Sequence, residues 1–317
     1  MKKLVAILLV LVLGLSSASA LAEITVGFAQ CKVDESDWRR ANTKSVQEAF
    51  SAENGYSLIL ADSNNDAAKQ IADVQGFIDA EVDYILIAAV NQDGWDTVLK
   101  NAQDAGIPVI LLDRTISASE DLYVCWAGAD FKTEGVKATE WIATRFTDTD
   151  EVGIVNLQGQ LGSSAQVGRS EALDDALAAH ANWSLVARQT GDWDTGTAKE
   201  IMASWLQQHG DKIKVVYAEN DNMADGAIQA IEEAGMAVGG DDGIAIISFD
   251  ANRPYLQMTL EGKINCNVEC NPLLGPKAVE LITMIANGEQ PAKIEYVEEA
   301  AFYYNTITQE IVDGRPY

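Results

Sequence analysis

The chain has 317 residues, with 22 basic against 48 acidic side chains and a formal charge of −26. So acidic a surface repels nucleic acid and anionic membranes and favours solubility, so no nucleic-acid partner is expected. The length exceeds what one hydrophobic core usually serves, and two domains are expected.

Residues 1–22 combine a basic start (Lys2, Lys3), the apolar run "LVAILLVLVLGL" and small residues ending in "SASALA". This is the pattern of a cleaved secretory signal, with removal after Ala20 or Ala22 permitted and no membrane insertion afterwards. The apolar run is short for a membrane span, and no Cys stands at the cleavage point to carry a lipid.

From residue 23 onward apolar runs alternate with amphipathic segments, the pattern of an α/β chain with parallel sheets covered by helices on both faces. "ITVGFAQ" reads as a strand and is followed by a helix over 38–53; "SLILAD" is followed by a helix over 66–79. "VDYILIAAV", a helix through "WDTVLKNAQDA", then "PVILLD" and "LYVCWAGAD" continue the series, with Gly106 and Pro108 marking a helix stop and a strand start. After "FKTEGVKATEWIATRF" the rhythm restarts: "EVGIVNLQG", a helix over 163–179, "WSLVARQTGDW", and a helix through "AKEIMASWLQQH". Strand "KVVYAEN", helix "MADGAIQAIEEAG" and strand "GIAIISFD" complete a second half. The tail has strand "KINCNVEC", helix "PLLGPKAVELITMIANG" and strand "AFYYNTI". With no third core to join, it is expected to return to the two existing domains through several crossovers.

Phosphate cradles of the G-x-G-x-x-G and G-x-x-x-x-G-K-[ST] types are missing, so no nucleotide cofactor is implied. "GQLGSSAQ" reads as a tight turn with Ser163 or Ser164 as a helix cap. With only His180 and His209 and no G-x-S-x-G elbow, a Ser/His/Asp triad is almost excluded. Acidic residues are too numerous to single out a hydrolytic pair, and no catalytic residue is assigned. The two histidines stand far from any Cys in sequence, so no metal cluster is expected. Cys31, Cys125, Cys266 and Cys270 allow three complete pairings and the choice stays open. An extended "CNVEC" would hold Cys266 and Cys270 about 13 Å apart, too far to bridge without a turn.

Polar and aromatic residues recur where strands end, and ligands of open α/β sheets bind beyond the carboxyl ends of strands. Trp38 and Arg39 follow the first strand and Asp113 and Arg114 the fourth; Arg169, Trp193, Asn220, Asp250 and Glu269 occupy such places in the second half. Aromatic faces suit the C–H faces of a sugar, and planar Asp, Asn and Arg groups bridge neighbouring hydroxyls. Buried charges are tolerated when paired, so Asp and Arg together suit such a pocket. Each residue also has a bland alternative, as core packing, a cap or a solvated charge.

The stretches "DESDWR", "DGWDTVLKNAQDAGIPVILLDR", "LQGQLGSSAQVGR", "TGDWD", "YAENDNMADGAIQAIEEAG", "SFD" and "NVECNPLLGP" resemble the periplasmic sugar-binding proteins of ABC importers, the ribose-binding-like type I class. The resemblance implies two Rossmann-like lobes joined by a three-segment hinge, closing on one ligand. It implies a first lobe of 23–129 plus 270–300 and a second of 130–269 plus 301–317. It places Trp38, Arg39, Asp113, Arg114, Arg169, Trp193, Asn220, Asp250 and Glu269 at ligand-contacting positions. A monosaccharide ligand (galactofuranose or a related furanose, pentose or hexose), a membrane permease as partner, a periplasmic location and a monomeric state follow as expectations. Two departures bear on the pocket: "FDANRP" replaces the usual small "DG", and Trp193 stands where Phe is common. Three other readings compete: a sugar-sensing repressor core, whose DNA-binding headpiece is replaced here by the signal; a sensor presenting sugar to a chemoreceptor or sensor kinase; and an exported glycosidase.

Overall fold

The structure, a computed structural model, describes residues 23–317. The expected signal segment and its cleavage site lie outside them. In chain order the first strands are β1 (Ile24–Gln30), β2 (Tyr56–Asp62), β3 (Tyr84–Ile87), β4 (Val109–Leu112) and β5 (Cys125–Gly128). A second series follows: β6 (Val152–Gln158), β7 (Trp183–Thr190), β8 (Ile213–Ala218), β9 (Ala245–Asp250) and β10 (Cys266–Glu269). The last two are β11 (Ile294–Tyr296) and β12 (Ala301–Tyr303). They form two six-stranded sheets, ordered β11-β5-β4-β3-β1-β2 and β12-β10-β9-β8-β6-β7. All pairings are parallel except β10 with β12, which is antiparallel, because the chain turns back directly from the last crossover without a helix.

The helices are α1 (Asp37–Ala49), α2 (Ala67–Asp79), α3 (Asp96–Asp104), α4 (Phe131–Arg145), α5 (Ser164–Ala179), α6 (Thr195–His209), α7 (Asp221–Glu233), α8 (Arg253–Leu260), α9 (Gly275–Ala286) and α10 (Gln309–Gly314). Side-chain caps start most of them: Ser36, Asp66, Asp130, Ser163, Asp194 and Asn220 each accept a backbone N–H three residues on. The "GQLGSSAQ" turn is therefore a capped helix start. Helix α1 ends at Ala49, short of the expected 53, and β11, α8 and α10 are elements the apolar rhythm did not reveal.

Each sheet is buried on both faces, as period-two geometry requires. In the first sheet Ile85, Ile87, Val109 and Leu111 enter one core, while Leu86, Ile110 and Leu112 enter another with Val46 of α1, Phe50 just after it, and Leu281 and Ile282 of α9. In the second sheet Val155, Leu157 and Val216 pack on one side and Ile154, Val215 and Tyr217 on the other. The chain crosses between the lobes three times, from β5 to α4, from β10 to α9 and from β11 to β12. Each sheet also reverses its winding beside its first strand, between β1 and β3 and between β6 and β8. That is where open α/β sheets bind ligands.

Candidate functional site

Both reversals face one narrow cavity, with about 30 Å³ of free space between its walls. From the first lobe, Trp38 and Arg39 enter on the first turn of α1, and Asp113 and Arg114 from the end of β4. From the second come Arg169 of α5, Trp193 from the turn after β7, Asn220 capping α7, and Asp250 closing β9. Eight of the nine residues expected at the site are thus brought together.

Glu269 does not line the cavity. Its carboxylate is engaged by the Arg315 guanidinium, by the Tyr317 hydroxyl at 2.8 Å and by the Ala300 N–H at 3.0 Å. It serves the C-terminal segment, which no local pattern links to "NCNVE". Glu35, Ser36, Phe131, Ala165 and Cys270 complete the lining and were not anticipated. Glu35 stands one helical turn before Arg39 and Phe131 follows the end of β5, so the same strand-end survey had signals for both.

The polar side chains form two buried clusters. In the first lobe Arg39 Nη2 donates to Asp113 Oδ2 at 2.6 Å, and Arg114 Nη2 to Glu35 Oε2 at 2.7 Å. In the second, Arg169 Nε donates to Glu134 Oε2 at 2.7 Å and its Nη2 lies 3.5 Å from Asp250 Oδ1. Three guanidiniums and three carboxylates line the cavity itself, so its charge is balanced. Burial disfavours charge on Arg39, but the surrounding Cys31, Asp113 and Glu35 outweigh it and raise the pKa. Asp250 is raised well above the usual carboxyl range, chiefly by burial, with Arg169 opposing.

Several polar atoms are buried without a protein hydrogen-bond partner: Glu35 Oε1, Arg39 Nε, Arg114 Nε and Trp193 Nε1. Such atoms are costly in a core, and these four of the ten found among the described residues belong to side chains of one cavity. Backbone strain collects there too. Asp113, Trp193 and Asp250 have φ of 61°, 65° and 98°, a region that L-residues avoid at a cost on the order of 1–3 kcal/mol each.

The walls are aromatic. The Trp38 indole donates to the Cys270 carbonyl at 2.6 Å, which ties it to the second crossover. Trp193 lies against Gly159, where a Cβ would come within 1.9 Å of the indole ring, so that glycine makes room for the larger aromatic. Asn220 is both cap and lining: Oδ1 accepts from Met223 N at 2.9 Å, and Nδ2 donates to the Trp193 carbonyl at 3.4 Å.

Direct bonds join the lobes across the mouth. Asp37 of α1 accepts from the Tyr255 hydroxyl at 2.8 Å and from Asn222 Nδ2 at 3.0 Å, and Thr115 N donates to Ser164 Oγ at 2.9 Å. The protein is therefore in a closed arrangement. All four cysteines are buried and free. Glu134, Cys270 and Glu299 bring metal-capable atoms within 4.8 Å of one another, but the set does not suit a cation. Burial raises the Cys270 thiol well above its ordinary value, and the thiolate is the metal ligand, while Arg169 already occupies Glu134.

The chain is 34% identical to the galactofuranose-binding protein YtfQ of Escherichia coli over 94% of its own length and 93% of that protein. A Mycobacterium smegmatis protein solved with β-D-fucofuranose superposes with a TM-score of 0.84 at 39% identity, covering 89% of this chain and 92% of that one. The binding component of an arabinose ABC transporter from Shewanella, solved with L-arabinofuranose, gives 0.85 at 33% identity, covering 92% and 95%. The family model for the periplasmic binding protein domain matches residues 26–290, and the chain belongs to the periplasmic binding protein family.

Proposed function

We propose that the chain is an exported solute-binding protein that captures one neutral monosaccharide between its lobes and delivers it to the permease of an ABC importer. The ligand is galactofuranose or a related furanose, pentose or hexose. The observation that carries this reading is the charge-balanced cavity, in which three arginines and three carboxylates cancel one another beneath aromatic walls. A neutral ring with hydroxyls on its rim satisfies both halves of such a lining. The furanose ligands of the similar proteins support the ring form.

Trp38, Arg39, Asp113, Arg114, Arg169, Trp193, Asn220 and Asp250 hold the sugar in this reading, with Glu35 and Phe131 added. Ligand contacts made from both lobes favour the closed arrangement, because only that state presents all of them at once. No histidine lines the cavity, since His180 stacks on Trp183 outside it, and burial holds the Cys270 thiol of the lining in its protonated form, so the chemistry is capture without reaction. Removal of residues 1–22 on export, a periplasmic site of action and a monomeric state complete the proposal.

Titration calorimetry against pentoses and hexoses, in furanose and pyranose forms, tests it. Binding tighter than about 10 μM, roughly −7 kcal/mol, is expected for a furanose. A panel without a binder overturns the reading, and release of product from labelled oligosaccharide replaces it with the glycosidase.

A further inference from the structure

The three crossovers meet behind the cavity. Glu134 stands in the first turn of α4, just after the first crossing; Cys270 and Asn271 lie in the second, and Glu299 in the third. Glu134 Oε2 is taken by Arg169 and Glu299 Oε1 accepts from the Asn271 N–H at 2.8 Å. Glu134 Oε1 is buried with no donor to meet it, on a side chain only 1% exposed. The two carboxyl groups approach within 4.8 Å. Like charges so placed resist ionising together, and a protonated carboxyl is a donor. One proton on Glu299 supplies what Glu134 Oε1 lacks.

We propose that Glu134 and Glu299 share one proton where the three crossovers meet, and that its loss at alkaline pH loosens the closed arrangement of the lobes. The surrounding charges favour it. Arg169 faces Glu134 from α5, Tyr217 from β8, Asp250 from β9 and Cys270 from the second crossover. Lys137 of α4 is committed to the Glu299 carbonyl oxygen at 2.8 Å. One guanidinium, Arg169, thus serves Glu134 and Asp250 together. Burial, followed by the charge of Glu134, raises the Glu299 carboxyl. Glu299 also lines an outer groove with Asp130, Thr133 and Lys137, which gives the proton a route to water. Arg169 and Cys270 line the ligand cavity and carry the effect inward. A raised carboxyl pKa means that the tie is complete below the ordinary carboxyl range and is lost as pH rises through the raised value. Two facing negative charges then strain the hinge.

The proton is independent of which sugar binds; its link to capture rests on the proposed function. Glu299→Gln keeps a donor and removes the titration, while Glu299→Asp keeps a titratable group on a shorter stem. Infrared difference spectra of the ligand-free protein between neutral and alkaline pH are expected to lose a protonated-carboxyl band. That loss is smaller in E299Q, where Glu219 and Asp250 still titrate, and its Glu299 component is displaced along the pH axis in E299D. The melting midpoint of the wild type falls over the same range by several degrees more than that of E299Q. Identical spectra and melting profiles in wild type and E299Q overturn the shared proton, as does a zinc-dependent rise in melting midpoint that E299Q abolishes. With methyl β-D-galactofuranoside as probe, affinity weakens at alkaline pH at least threefold more in the wild type than in E299Q. Equal pH dependence in both removes the link to capture, and the infrared band decides the proton whether or not this glycoside binds.

Discussion

Arg39 and Asp113 stand 74 residues apart in sequence, yet their side chains meet at 2.6 Å with almost no exposure to solvent. Truncating one partner of such a buried pair strands the other charge, which typically costs about 3–5 kcal/mol. Asp113→Ala is expected to weaken sugar binding at least about 100-fold and to lower the melting midpoint while a single cooperative transition remains. Titration alongside a thermal melt checks both; unchanged affinity removes Asp113 from the site.

Tyr255 and Asp37 belong to opposite lobes, so their 2.8 Å bond exists only when the cleft is closed. Hydrogen bonds to a charged group contribute about 1.5–3 kcal/mol. Tyr255→Phe should therefore raise Kd roughly tenfold or more and expand the ligand-free protein in small-angle scattering. Identical scattering profiles for the two proteins would remove the latch.

Asp250 combines a φ of 98° with burial that raises its pKa well above the carboxyl range. Both features oppose folding. Asp250→Asn keeps the shape and relieves the buried charge, so the variant is expected to melt higher and to bind sugar at least tenfold more weakly. Weaker binding with a lower melting midpoint would mean that Asp250 is structural.

Glu219 precedes the lining residue Asn220 and is fully buried, accepting from Ser170 Oγ at 2.6 Å and from Gly159 N at 2.8 Å. Burial lifts its pKa from 4.5 to about 7, against the pull of those donors. The folded state therefore holds this proton more tightly than the unfolded chain. The associated stability is complete below pH 4.5 and is lost as pH rises through about 7. The melting midpoint should decline from pH 5 to pH 8, and Glu219→Gln should flatten the decline. Parallel profiles for the two proteins would exclude Glu219 as the source.

The α/β rhythm was legible because it is local: apolar runs of period two and capped amphipathic segments announce themselves within a few residues. A cap at Ser163 or Ser164 was readable from its own neighbourhood, and Ser163 caps α5. Strands too short to hold a pattern were not: β11 has three residues, none of them buried, and its place is set by β5 beside it. The site was legible through a topological rule, since strand ends of both lobes must face the cleft. Glu35 was missed because its sequence neighbourhood shows only a loop acid ahead of α1, and Arg114 selects it from 79 residues away in the folded chain.

Residue order alone thus establishes two α/β lobes and a census of side chains able to meet a sugar, because backbone periodicity and capping act over a turn or two. Partner choice belongs to the fold. Nothing near Glu269 in sequence distinguishes a ligand contact from the clamp it forms with Arg315 and Tyr317, and nothing near Glu299 predicts that Glu134 faces it. Such pairings depend on which strand lies beside which in each sheet and on where three crossovers converge, and those relations are made by long-range packing of the apolar cores.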